Sequence, residues 1–286
     1  IMLCNDLLSK NMNITITKRM RTNKSYYVNA KHDLYNLRKR SNDTNDTNTN
    51  DIKKIRDEYM KTVIDCYKDY KTTGSISTMQ RVHESVKNVS SYSTVYGELT
   101  FEGIEILGKI INGQEIKIFM DIGSGNGKIP ITLATEPSIR TSFGVELVEE
   151  RHNNAMTVRK RLTENQRFGQ FIAKVHLVND DMFNIDFQKI TNDSKTLVFI
   201  SNLCFGEEIT SQLFMKLGKE LPIGSIVASS KIPSQIPGCF RAIDSIRSID
   251  SNDSIPGFSV SAGVSKMPMT WINNSTVYFH ELVTKC

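Results

Sequence analysis

From Phe119 to Lys128 the chain reads F-M-D-I-G-S-G-N-G-K, with glycines at positions 123, 125 and 127 directly behind an apolar run. Few arrangements satisfy such a segment. Residues 116–121 have the length and apolarity of a buried strand, and residues 128–135 open a helix, so the glycines form the turn between them. Glycine adopts dihedrals closed to other residues and lets the backbone approach a ligand where a Cβ would collide. The helix behind the turn adds unpaired N–H groups. Dinucleotide-binding proteins use similar turns, but two details narrow the choice. Asp121 ends the strand, where a carboxylate suits a cationic or amine-bearing ligand better than a pyrophosphate. The Lys-Ser/Thr pair that closes a phosphate-binding loop is missing.

The alternation continues downstream. Residues 142–146 form a second expected strand, and residues 149–166 a helix with Ala155, Val158 and Leu162 on one face. Further strands are expected at 173–178, 196–200, 225–229 and 276–283, with a helix at 207–217. Short apolar strands alternating with helices imply an α/β fold of the Rossmann type, a parallel sheet covered on both faces. Two more acidic strand ends stand in step with the glycine turn. Glu146 closes the second strand, where a carboxylate can accept both hydroxyls of a ribose. Asp181 follows the third, in N-D-D-M-F, placed to read an adenine amine with Met182 against the ring.

Upstream the organisation changes. Residues 1–40 carry nine Lys and Arg against Asp6 and Asp33, so this arm holds 9 − 2 = +7 and residues 41–286 sum to 5 − 7 = −2. Such an arm suits phosphate contacts, and it equally suits a solvated tail. The tract S-N-D-T-N-D-T-N-T-N at 41–50 has no apolar residue and reads as a linker. Helical periodicity begins at Asp51 and runs to Tyr70, with further helices expected at 78–88 and 100–111. The chain thus divides into a basic arm and linker (1–50), a helical N-terminal subdomain (51–112) and a Rossmann-like core (113–286). Apolar runs long enough to span a membrane are missing, and the first twenty residues lack the pattern of a secretory signal. The five cysteines, odd in number and without C-x-x-C spacing, imply reduced thiols in an intracellular protein, and neither they nor the five histidines suggest a metal site.

Three further segments narrow the reading: V-Y-G-E at 95–98, S-N-L-C-F-G at 201–206 and S-S-K at 229–231. With D-x-G-S-G-x-G, the V-E strand end and the D-M pair, they resemble, in order and spacing, the disruptor-of-telomeric-silencing (Dot) family of histone lysine methyltransferases without a SET domain. The resemblance spans roughly residues 51–280. It implies S-adenosyl-L-methionine as cofactor, a nucleosomal lysine on histone H3 as acceptor, DNA contacts for which the basic arm is the place to look, a monomer, no membrane partner and a nuclear location. Cofactor contacts are implied for Tyr96, Glu98, Asp121, Gly123, Gly125, Gly127, Lys128, Glu146, Asp181, Met182 and Asn202. For the reaction itself, Tyr96 and Glu98 belong to a loop over the cofactor, and Asn202 orients cofactor or amine. Phe205 walls a lysine channel, and Tyr278, after Trp271, closes it.

The same residues have plainer uses. Phe205 and Trp271 suit a core, Tyr278 an ordinary strand position, and Glu98 the first turn of the helix at Thr100. Three positions differ from the family pattern: Leu99 where a threonine is usual, Ser201 where an asparagine is, and Lys128 where a glutamine commonly follows the last glycine. A base methylase would carry N/D-P-P-Y/F after the fourth strand, and Ser201–Phe205 has no proline. A Rossmann methyltransferase acting on RNA or another protein, and a catalytically silent chromatin-binding protein, remain the alternatives.

Overall fold

The computed structural model describes residues 49–68, 98–203, 205–243, 263–270 and 272–286. The expected helix at 78–88, the arm 1–40, Tyr96 and Trp271 lie outside them. The chain divides at Lys54/Ile55 into two units, and the second, Ile55–Cys286, contains the whole sheet.

Five parallel strands form the centre: β1 (Ile118–Ile122), β2 (Thr141–Glu146), β3 (Val175–Asn179), β4 (Thr196–Ile200) and β5 (Ile226–Ser229). Their order is β3-β2-β1-β4-β5, followed by antiparallel β8 (Ile272–Leu282). The outer edge of β8 takes β6 (Phe240–Ala242) and β7 (Val264–Met269). The order reverses between β1 and β4, the point at which open α/β sheets bind ligands beyond their carboxyl ends. Register sets what gathers there. Asp121 lies opposite Gly144 and Phe199, Glu146 opposite Asn179, Ile200 opposite Ser229, and Ser229 opposite Tyr278.

Both faces of the sheet are covered. Met120, Ile122, Val198, Ile200 and Val227 pack under Leu213, Phe214 and Leu217 of α7 (Glu207–Glu220). On the other face Phe119, Leu197, Phe199, Val277 and Phe279 meet Ile104, Leu107 and Ile111 of α2 (Phe101–Gly113). A third cluster joins Tyr59 and Val63 of α1 (Thr49–Tyr67) to Ala155, Val158 and Leu162 of α4 (Glu149–Thr163). Every residue of β1 and β4 is therefore buried, which is why these strands read as unbroken apolar runs instead of alternating ones. Helix α3 (Lys128–Leu133) leaves the glycine turn, and the short helices α5 (Gly169–Ile172) and α6 (Phe187–Thr191) fill connections.

Three features depart from the sequence expectation. The late strand expected at 276–283 starts at Ile272, because its first half pairs with β7. Strand β7 contains Pro268, tolerated on a sheet edge where no donor is needed. Cys239 and Cys286 form a disulfide, with Cα atoms 5.3 Å apart, where reduced thiols were expected. The cause is tertiary: pairing of β6 with β8 brings positions 47 residues apart together, and a Cβ at Gly218 would strike both sulfurs. Among the described residues no helix is long and apolar enough to cross a membrane, and no group of His, Cys, Asp or Glu is arranged to hold a metal ion.

Candidate active site at the strand ends

The glycine turn takes the form its sequence requires. Gly123, Gly125 and Gly127 have φ of 83°, 55° and 74°, the left-handed region where a side chain is strained. The N–H groups of Gly123 and Ser124 both donate to Val145 O at 2.9 Å, tying the turn to β2. The first and last of these glycines face different surroundings. A Cβ on Gly127 would lie 2.8 Å from Ala155 Cβ, so this glycine admits α4, whereas among the described residues nothing lies within 4 Å of a Cβ on Gly123. Two side chains brace the turn from outside: Tyr67 donates to Asn126 O at 2.7 Å, and Asn154 Nδ2 to Asn126 Oδ1 at 3.4 Å.

Three carboxylates converge on this turn. Glu146 is buried, and its two oxygens accept from Gly125 N and Val148 N, each at 2.8 Å. Burial pushes its pKa up, opposed by the Arg151 charge and by these N–H groups. Asp121 is 2% exposed, and its Oδ2 has no protein partner among the described residues. Burial, then the nearby charges of Glu146 and Glu98, raise its pKa well above the carboxylate range. Glu98 is buried too, with its pKa raised by burial against the pull of Lys128 and Arg151. It pairs with Lys128 Nζ at 2.6 Å, the side chains only 9% and 7% exposed. Lys128 Nζ also stands 5.5 Å from the centroid of the Phe101 ring.

A strap delivers Glu98. Residues 98–100 run antiparallel to the β7–β8 turn: Thr100 N donates to Pro268 O at 3.1 Å, Thr270 N to Glu98 O at 2.8 Å, and Glu98 N to Thr270 Oγ1 at 3.3 Å. Capping of α2 falls to Thr100, whose Oγ1 accepts from Gly103 N, so Glu98 is left to the site. Leu99 between them is fully buried against α2. At the third strand end Asp181 Oδ1 accepts from Phe183 N at 2.9 Å, capping the 3₁₀ turn Met182–Asn184, and Met182 is buried.

The β4–β5 side is built differently. Asn202 is fully buried; its Oδ1 accepts from Lys231 N at 2.9 Å and its Nδ2 donates to Lys231 O at 2.8 Å. Phe205 N donates to Asn202 O at 3.0 Å, and Lys231 Nζ to Phe205 O at 3.1 Å. Phe205 is half-buried against the α7 cluster, and Tyr278 is half-buried across from Ser229. The Ser229 and Ser230 hydroxyls are buried without a partner among the described residues. Arg151, Thr270 and Tyr67 thus join the site without any signal in local spacing, each placed by tertiary register, whereas Lys231 stood in the S-S-K segment.

A parallel sheet of this order, ended by an antiparallel strand and carrying a glycine turn after β1 and acidic ends on β1 and β2, defines the class I S-adenosylmethionine-dependent methyltransferase fold. Within that class the chain belongs to the DOT1 family of histone methylation proteins, whose sequence profile matches residues 74–274. It is 29% identical over 203 residues to a Drosophila melanogaster histone-lysine N-methyltransferase, H3 lysine-79 specific, covering 67% of this chain and 11% of that protein. The Caenorhabditis elegans protein of the same description is 26% identical over 141 residues, 49% of this chain and 15% of that one. The match therefore spans a small fraction of these relatives' length. Among solved structures, an S-adenosylmethionine-dependent methyltransferase from Neisseria gonorrhoeae aligns at 12% identity with a TM-score of 0.42, over 64% of this chain and 68% of that one.

Proposed function

We propose that this chain binds S-adenosylmethionine at the glycine turn and methylates a lysine of histone H3 in the nucleosome. The observation that carries the cofactor reading is Asp121 Oδ2, a buried acceptor without a partner among the described residues, beside two further carboxylates. A buried carboxylate of this kind favours a cationic ligand, which supplies the missing donors and lowers the cost of ionising it. The α-ammonium group of the cofactor meets that need. Glu146 keeps lone pairs for ribose hydroxyls while holding Gly125. Asp181 and Met182 serve the adenine, and Tyr96 belongs to the loop over the cofactor.

Bound S-adenosylmethionine supplies a methyl group on a sulfonium. The acceptor amine must arrive neutral and in line, so alignment and exclusion of water matter more than a strong base. Phe205 and Tyr278 wall the approach of a lysine stem at the β4–β5 end, where the buried hydroxyls of Ser229 and Ser230 leave a polar lining. The substrate reading rests on membership in the family, and it brings with it chromatin as the partner, the nucleus as the location and the arm 1–40 as the DNA contact.

Transfer of labelled methyl to intact nucleosomes, free core histones and total RNA, assayed side by side, tests the proposal. Label is expected on nucleosomal H3 and to disappear with Asp121→Asn. Label on RNA alone would overturn the substrate, and cofactor binding without transfer to any of the three would favour a silent chromatin-binding protein.

A further inference from the structure

We infer that Asn202 is a positioning residue that acts through the main chain of Lys231, fixing the spacing of the β4 and β5 loops and, by way of the Lys231 ammonium, the place of Phe205. The inference deepens the methyl-transfer reading of the same site.

Strands β4 and β5 pair as far as Ile200 opposite Ser229, and Ser230 N then donates to Ile200 O at 3.1 Å. Beyond that the two chains part, one toward α7 and the other toward β6. Asn202 bridges the gap with its side chain. Its amide gives one N–H to Lys231 O and takes one from Lys231 N, the exchange that a hydrogen-bonded pair of antiparallel residues makes through the backbone. The pairing then closes into a ring. Lys231 reaches back with its ammonium to Phe205 O, and Phe205 N returns to Asn202 O. Four hydrogen bonds link three residues, with Asn202 fully buried, so a broken bond leaves polar groups unsatisfied away from water.

The side-chain chemistry is restrictive. Aspartate keeps an acceptor for Lys231 N–H but has no donor for its carbonyl, alanine has neither, and glutamine is a methylene too long for the same gap. Lys231 is equally committed. Its ammonium is bonded to a carbonyl of the loop and its charge lies near Glu207, whose carboxyl also accepts from Ser234 N at 2.6 Å. Both side chains therefore hold the loop that carries Phe205 against the loop that carries Ser230. A misplacement of that wall by about 1 Å lowers a transfer rate by up to about 100-fold.

Hydrogen exchange in the full chain reads the clamp without any methyl acceptor. Asn202→Ala and Lys231→Pro, which deletes the N–H, are each expected to speed exchange across residues 229–234, whereas Lys231→Met changes it only around Phe205. Unchanged exchange at 229–234 in Asn202→Ala would overturn the clamp, whatever the substrate proves to be.

On nucleosomes, Asn202→Ala and Lys231→Pro should each lower kcat by about 100-fold, with KM and the affinity for S-adenosylhomocysteine moved by less than about twofold. The double variant should be no worse than either single one, the non-additivity of residues acting as a unit. Asn202→Asp should fall between wild type and alanine, with its deficit growing as pH rises and the introduced carboxyl loses the proton that serves Lys231 O. Multiplying effects or loss of cofactor affinity would mean that Asn202 touches the cofactor or amine itself, and would overturn the inference.

Discussion

At the β1–β2 end of the crevice, Asp121, Glu146 and Glu98 lie buried around a glycine turn, and Asp121 retains an acceptor that no donor among the described residues meets. At the β4–β5 end, Asn202 and Lys231 are paired within a closed ring of hydrogen bonds. One end carries an electrostatic deficit that a ligand can relieve. The other ties Asn202 and Lys231 to each other, leaves the uncharged hydroxyls of Ser229 and Ser230 unmet among the described residues, and presents geometry. The contrast suits a cofactor that must be held tightly and an acceptor that must be aligned and released.

Removing the deficit is expected to have the largest effect. Asp121→Asn keeps the shape of the side chain and abolishes its charge. Affinity for S-adenosylhomocysteine should fall by about 100-fold or more, the loss typical when one member of a buried charged contact is removed. Calorimetry gives the affinity directly. The same substitution should raise the melting temperature of the ligand-free protein, because an uncompensated buried charge disappears. A variant that bound normally would mean that Asp121 faces the core and not the ligand.

The pH dependence sharpens the same contrast. Burial raises the pKa of Asp121, Glu146 and Glu98, so across the window from the ordinary carboxylate range upward the folded state holds more protons than the unfolded one. Their contribution to stability is present at low pH and lost as pH rises through the raised values. Half-buried His152 and buried His280 have lowered pKa values and work the other way, costing stability as pH falls below the usual histidine value. The difference between wild type and Asp121→Asn isolates the carboxylate part, and that difference should widen as pH rises. Binding of a cationic ligand should release protons, seen as a buffer-dependent heat. A binding heat independent of buffer would remove the charge argument.

How far this arrangement was legible in the sequence also differs between the two ends. A glycine turn demands left-handed backbone at fixed positions, and an acid at a strand end needs no partner to be noticed, so Asp121, Gly123 and Glu146 stood out. Asn202 stood out as well, but its work did not. The residue that engages it is Lys231, and what engages is the Lys231 backbone, which no side-chain pattern reports. The same applies to the strap. Leu99 read as a departure from a family threonine, yet it fills the core beneath α2 while Thr100 supplies the cap. Strands β6 and β7 escaped because one is three residues long and the other contains Pro268, and both depend on pairing with β8. Short-range chemistry is written locally, whereas clamps, straps and edge pairings depend on register between distant segments.

The Glu98–Lys128 pair stands between the two regimes, charged like the first and internally partnered like the second. Lys128→Met should destabilise the protein by about 2 kcal/mol, below the usual cost of orphaning a buried ion because Glu98 can take up a proton instead. For that reason the loss should be smaller at pH 6 than at pH 8, as followed by denaturant unfolding. Adding Glu98→Met should recover most of it. Without recovery, the glutamate would be needed for more than pairing.

The smallest expected effect tests whether the strap transmits position to the site. Thr270 is exposed, but its Oγ1 accepts from Glu98 N at 3.3 Å while its own N–H holds Glu98 O at 2.8 Å. Thr270→Val preserves the β-branched shape and the backbone bond, and removes only the acceptor. A single such bond contributes about 0.5 kcal/mol where water can replace it, so the change in stability should sit near the limit of detection. Affinity for S-adenosylhomocysteine should nonetheless weaken by about twofold, since Glu98 and with it Lys128 would lose one fixed point. An equal shift in a Lys128→Met background would mean that Thr270 acts on the loop and not through the ion pair. Abolition of the shift there would tie the exposed turn of the β7–β8 hairpin to the charged end of the crevice.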